Sequence, residues 1–180
     1  DNGEFDFVAT GGDAPLRAGP GDQSIALGAG DDTVYAGSGN DVVVNGDGTN
    51  RIFLEDGDDV FIDDGGSTAD DGDIVYGGSG NEDVTTGLGA DQVFGGEGDD
   101  IIRTSGGSDF VEGGSGADSA WLGDGDDQYE EEDATSPGEA DVVYGGDGND
   151  KLAGGGGNDT LHGESGNDRL FGGSGNDTLS

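Results

Sequence analysis

Apolar residues recur once every nine positions along most of this chain. Read back from Ser180, the last four units are GGDGNDKLA (145–153), GGGGNDTLH (154–162), GESGNDRLF (163–171) and GGSGNDTLS (172–180). The same phase runs toward the N-terminus through GGEGDDIIR (95–103), AGSGNDVVV (36–44) and LGAGDDTVY (27–35), and reaches AGPGDQSIA (18–26). Units 63–76 and 131–144 each carry five extra residues, so residues 18–180 divide into seventeen units. The eighth position holds Ile25, Val34, Val43, Ile52, Phe61, Val75, Val84, Val93, Ile102, Val111, Ala120, Tyr129, Val143, Leu152, Leu161, Leu170 and Leu179. Every one is apolar or aromatic, so the period marks a fold.

A helix cannot use this pattern, because glycine recurs at positions two and four and is a poor helix former. A short strand can. Positions seven to nine read x-U-x, with the middle residue inward and its neighbours outward. Positions one to six, rich in glycine with Asn or Asp, read as a tight turn. Turn, strand, turn, strand makes one coil of about eighteen residues, and stacked coils pair their strands in parallel at about 4.8 Å. The pattern thus predicts an all-β, two-sheet parallel roll roughly 40 Å long, with a single apolar residue per strand supplying a thin core.

Residues 1–17 do not show the nine-residue motif. EFDFVAT (4–10) alternates and reads as an entering strand or cap, and GGDAPLRAGPG (11–21) as an irregular turn. The two long units begin 68 residues apart, seven units. Their inserted segments are expected to bulge outward on opposite edges and to disturb the sites beside Asp73 and Asp141. The last unit is complete and no cap follows it, so the chain is expected to continue in a parent protein.

Composition sharpens this picture. The 180 residues include 42 acidic and 5 basic side chains, 43 glycines and 29% hydrophobic residues, for a formal net charge of −37. Such values describe a disordered chain unless a repeat lets neighbouring units share a core. No cysteine is present, which excludes disulfides and thiolate metal sites. No apolar run approaches a membrane span, and no signal peptide is visible at Asp1. So acidic a surface repels nucleic acid and anionic lipid and attracts cations.

Position six gives the charge a place. It is aspartate in fourteen units: Asp32, Asp41, Asp59, Asp73, Asp91, Asp100, Asp109, Asp118, Asp127, Asp141, Asp150, Asp159, Asp168 and Asp177. Gln23, Asn50 and Glu82 are the exceptions. Alternate units share an edge, so these carboxylates stack in two columns. Two carboxylates about 5 Å apart at an effective dielectric near 20 repel by roughly 3 kcal/mol. Repeated along both columns, this rivals the 5–15 kcal/mol that typically holds a domain. A counter-ion between coils removes the conflict. Carboxylate and carbonyl oxygens favour Ca²⁺ over Mg²⁺, and one histidine without cysteine disfavours zinc and copper.

GGSGNDTLS, GGGGNDTLH and GGDGNDKLA closely resemble the repeats-in-toxin (RTX) nonapeptide, G-G-x-G-x-D-x-U-x, over residues 18–180. The resemblance implies a right-handed parallel β-roll with Ca²⁺ in its turns. It implies ligation by the position-six aspartates and by turn backbone at Gly28, Gly30, Gly37, Gly39, Gly96, Gly98, Gly114, Gly116, Gly146, Gly148, Gly155, Gly157, Gly173 and Gly175. The best-formed sites are expected to link Asp91, Asp109 and Asp127, Asp100 with Asp118, Asp150 with Asp168, and Asp159 with Asp177. Up to about fifteen same-edge gaps would offset about thirty of the 37 negative charges. By resemblance the chain is a module of a secreted bacterial protein, unfolded at cytosolic calcium and folding outside the cell after type I export.

Two other functions compete. Catalysis is not expected, because the carboxylates sit in repeated turns without a singular constellation; the lone histidine, His162, stands at an outward ninth position without triad partners. Any catalysis would belong to a neighbouring domain. Binding of a glycan or another protein has a better candidate: Tyr35, Phe53, Tyr76 and Phe94 occupy position nine of alternate units, a stripe about 15 Å long. Trp121, Tyr144 and His162 form a shorter run on the other face. The competing role for both runs is stacking that stabilises the sheet.

Overall fold

A computed structural model of the protein describes residues 7–8, 15–63, 71–131 and 139–180, with backbone alone for residues 7–8. Among the described residues the chain forms short strands and no helix. One parallel sheet contains β1 (Phe7–Val8), β3 (Ser24–Ala26), β5 (Val42–Val44), β7 (Val60–Ile62), β9 (Asp83–Thr85), β11 (Ile101–Arg103), β13 (Ser119–Asp124), β15 (Val142–Gly148), β17 (Thr160–Gly166) and β19 (Thr178–Leu179), in that spatial order. The other contains β2 (Leu16–Arg17), β4 (Thr33–Ser38), β6 (Arg51–Asp56), β8 (Ile74–Ser79), β10 (Gln92–Glu97), β12 (Phe110–Ser115), β14 (Gln128–Glu130), β16 (Lys151–Ala153) and β18 (Arg169–Phe171). Successive strands alternate between sheets. The chain therefore winds as a two-sheet parallel solenoid, two repeat units to a coil, as the nine-residue period predicts.

Val93 pairs with Val111, eighteen residues on, and this offset recurs along both sheets. Across the long units the offset becomes 23: Arg51 pairs with Ile74, and Ala120 with Val143. The extra residues thus fall between rungs and leave the pairing in phase. The outward bulges expected of the insertions concern residues 64–70 and 132–138, which lie outside the described residues. Half of the expected entering strand and turn (4–10 and 11–21) also lies outside them, and the stretch read as an irregular turn contains strand β2. The described parts pair Phe7 with Ile25 and Leu16 with Val34, again at eighteen. Backbone pairing therefore keeps the repeat's phase where the sequence motif is absent.

Position eight is the core, as predicted. From Ile25 to Leu161 every residue there is fully buried, Leu170 is half-buried, and Leu179 in the last rung is 46% exposed. The expectation of one inward residue per strand needs correction. Leu27, Ala36, Leu54 and Leu122, all at position one, join the same cluster. Position one follows position eight by two residues, and in β4, β6 and β13 the strand runs on through it. Side chains two apart on a strand face the same side. The second inward column went unread because most other units fill it with glycine or a polar residue.

Position two is glycine in most units, but Glu55 (φ 78°) and Glu164 (φ 64°) adopt the left-handed conformation there. For a residue with a Cβ this costs about 1–2 kcal/mol. Glu164→Gly is therefore expected to raise stability by about 1 kcal/mol. Leu122→Ala, at the fully buried second inward column, is expected to lower it by about 2–5 kcal/mol. Denaturant unfolding of both variants at one fixed divalent-cation concentration checks these values.

Candidate metal centre

Position six is the last turn residue before each strand, so winding stacks it in register at the two edges. One column runs Asp32, Asn50, Asp73, Asp91, Asp109, Asp127, Asp150 and Asp168. In it each backbone N–H donates to the side-chain Oδ1 of the next member, at 2.7–3.1 Å. The other runs Gln23, Asp41, Asp59, Glu82, Asp100, Asp118, Asp141, Asp159 and Asp177, with like bonds at 2.7–3.1 Å between all neighbours but Asp59 and Glu82. All fourteen predicted aspartates thus stand in two ladders, and the pairs expected to be best formed are each joined by such a bond. The ladder bonds continue through Asp73 and Asp141, beside the two insertions. From Asp32 to Asp159 every position-six side chain is buried; Asp168 and Asp177 are half-buried.

The ladder bond uses one carboxylate oxygen and leaves the other. In Asp41, Asp59, Asp118, Asp127, Asp150 and Asp159 the second oxygen, Oδ2, is buried without a hydrogen-bond donor. Asn50 shows what that oxygen faces. Its Oδ1 accepts the Asp32 N–H at 2.7 Å, which fixes the amide's orientation. Its Nδ2 then donates to the carbonyls of Gly48 at 3.0 Å and Gly46 at 3.5 Å. Where aspartate replaces asparagine, an anionic oxygen takes the place of that donor beside the same class of turn carbonyls. A buried set of acceptors with no donor is costly, and a hard cation satisfies it. The residues present therefore fit a Ca²⁺-type ion.

The cost appears in the carboxyl pKa values. Burial, partly offset by the ladder N–H, pushes Asp59, Asp109 and Asp141 up to about 6 and Asp73, Asp118 and Asp127 up to about 7. Asp41, Asp150 and Asp159 are raised for the same reason, and so is Asp91, where the Thr86 hydroxyl also offsets burial. Burial raises Glu82 and Asp100 as well; in Glu82 the neighbouring Asp100 adds to it.

Glycine is required here for two reasons. Gly98, at position four, has φ 126°, and a Cβ on it would strike the carbonyl of Gly80 one coil below. Gly95, at position one, admits no Cβ because Asp100 Oδ2 and the Gly113 carbonyl lie against it. Of the turn glycines implicated by the motif, Gly28 and Gly148 lie outside the left-handed region.

Two further layers escaped the sequence pattern. Position five builds an exposed ladder of opposite sense: Asn40 N–H donates to Asp22 Oδ1 at 2.9 Å, Asn81 to Asp58 at 2.9 Å, and Asn176 to Asn158 at 2.9 Å. Its signal was the Asn or Asp preceding most position-six residues. Position one, where polar, meets the carboxylate column: Asn45 Nδ2 donates to Asp73 Oδ2 at 2.5 Å.

The aromatic stripe exists as a stack. Tyr35, Phe53, Tyr76 and Phe94 lie with ring centroids 4.6, 4.8 and 4.9 Å apart and planes within 7°. Arg17 covers the outer face of Tyr35 at 3.7 Å, and Phe110 tilts against Phe94 at 5.8 Å. On the other sheet Trp121, Tyr144 and His162 stack at 5.8 and 4.8 Å. His162 Nδ1 lies 2.6 Å from Ser180 Oγ.

The model of the RTX calcium-binding nonapeptide repeat matches residues 8–43, 17–52, 69–93, 76–111, 103–130 and 140–179. No curated protein matches the chain.

The raised carboxyl pKa values set a pH dependence. In the unfolded chain these groups titrate near ~4. Between there and their folded values of about 6–7 the metal-free fold binds more protons than the unfolded chain, so its stability falls as pH rises. With chelator present, circular dichroism is expected to show β-structure near pH ~5 that is lost by pH ~8. Cations compete with those protons, so their affinity is expected to rise over the same window.

Proposed function

Because the chain belongs to the RTX calcium-binding nonapeptide repeat family, we propose that it is a calcium-dependent folding module whose ions sit between rungs along both edges. The observation that carries this is the buried, donorless Oδ2 of Asp41, Asp59, Asp118, Asp127, Asp150 and Asp159, read beside the Asn50 amide that supplies its own donor. Those aspartates and the turn carbonyls would hold the ions, up to about fifteen over the same-edge gaps. Each ion would supply positive charge and a shared oxygen-coordination centre between neighbouring coils. Residues 18–180 would form the ion-holding array and residues 1–17 its leading strands.

At micromolar or lower calcium the columns repel and the chain stays extended. At millimolar calcium binding and folding occur together, since the sites hardly exist in the unfolded chain. Site affinities would lie near the 10⁻⁴–10⁻³ M range of extracellular modules, roughly. This suits a segment of a secreted bacterial protein that leaves the cell unfolded. The module would not itself be catalytic. Face-to-face stacking turns the aromatic rings toward each other, which favours a stabilising role for the stripe over glycan binding.

A calcium titration followed by far-ultraviolet circular dichroism is expected to take the chain from coil to β-structure cooperatively near neutral pH. Full β-signal at neutral pH in excess chelator would overturn the proposal. Asp109→Asn is expected to fold with fewer bound ions, because its amide can act as that of Asn50 does. Asp109→Ala loses the ladder acceptor too and is expected to cost about 1–3 kcal/mol more. Equilibrium dialysis and thermal melts separate the two.

A further inference from the structure

One gap differs in chemistry from the others. On the edge carrying Asp118 and Asp141, the flanking units hold glycine at position one, Gly113 and Gly154, but the long unit holds Glu131. Its Oε2 accepts the Gly114 N–H at 3.0 Å, and its Oε1 accepts the hydroxyl of Tyr129. Tyr129 is fully buried at position eight, where every other unit has a side chain without a polar atom. Asp118, Glu131 and Asp141 each offer one oxygen, and the three lie within 4.8 Å of one another. Asp118 is 1% exposed, and its Oδ2 has no donor. A Cβ placed on Gly113 would strike Asp118 Oδ2, Glu131 Oε1 and the Tyr129 hydroxyl together, so these oxygens converge on one spot beside that glycine.

We infer that Asp118, Glu131 and Asp141 form a distinct cation site of three carboxylates, which takes the most highly charged oxygen-seeking ion first. This rests on the proposal that the aspartate columns hold cations, and deepens it for one gap. A ladder gap joins two position-six carboxylates; here a third enters from the strand side. Two donors from the protein hold Glu131 in place, so little ordering remains for the ion to impose. Charge count and rigidity are the features that tighten oxygen-ligand sites. The same features favour a trivalent ion over Ca²⁺ more strongly here than in a two-carboxylate gap.

The test adds Tb³⁺ to the calcium-saturated, folded chain and follows emission sensitised by aromatic excitation, with circular dichroism confirming the fold. The first equivalent is expected to displace calcium about ten-fold or more tightly than later ones, with strong emission from the adjacent Tyr129. Glu131→Gln is expected to remove that tight phase and leave the later ones unchanged. Tyr129→Phe keeps all three carboxylates and serves if Glu131→Gln does not fold; it is expected to retain the tight phase while its emission drops several-fold. Superposable titrations of wild type and Glu131→Gln would overturn the site, as would undiminished first-equivalent emission in Tyr129→Phe. A wild-type chain that does not take up calcium on folding would instead overturn the proposed function.

Discussion

An anionic oxygen buried among other acceptors, recurring along both edges, is the constraint on which this structure depends. Parallel strand pairing fixes the separation of rungs at about 4.8 Å, and the turn cannot relax without breaking that pairing. The position-six carboxylate gains one firm hydrogen bond from the rung below and is thereby held with its other oxygen turned inward. The bond that sets the register thus also creates the charge problem. Hydrophobic burial does not offset it alone: the core is two side chains wide at most, and many of its second-column positions are glycine.

The chain's own substitutions map what that oxygen needs. Asn50 supplies N–H donors to the turn carbonyls. Asn45 supplies one to Asp73. Glu131 goes the other way and adds charge, held by Tyr129 and Gly114. Each change falls at an inward position and alters the donor–acceptor balance locally while the ladder continues past it. Rung spacing is therefore the conserved quantity of the architecture, and the chemistry at the edges varies within it.

Much of this was legible in the sequence, because position eight and position six repeat without regard to neighbours. Seventeen inward apolar residues in phase leave one way to wind the chain, and the aspartates follow from the same phase. Position one was harder. Its residues range from Leu54 and Leu122 to Thr104, Gly95 and Glu131, since some fill core and others make room for a carboxylate, so no single residue type announces the column. The exposed position-five ladder hid behind the ordinary turn preference of Asn and Asp. Leu16 and Phe7 stand in phase with the array, but the residues around them lack the motif and conceal it. The cluster at Glu131 was beyond reach for another reason: the insertion separates Asp141 from Asp118 by 23 residues, and only the folded register brings Glu131 and Tyr129 between them.

The most direct test of the account is anomalous X-ray scattering from crystals grown at neutral pH with ample calcium. Ions are expected in files along both edges, in the gaps where no side-chain amide supplies a donor, next to the second oxygens of Asp109, Asp118, Asp127 and their neighbours. An ordered roll whose edges hold no ions under those conditions would contradict it.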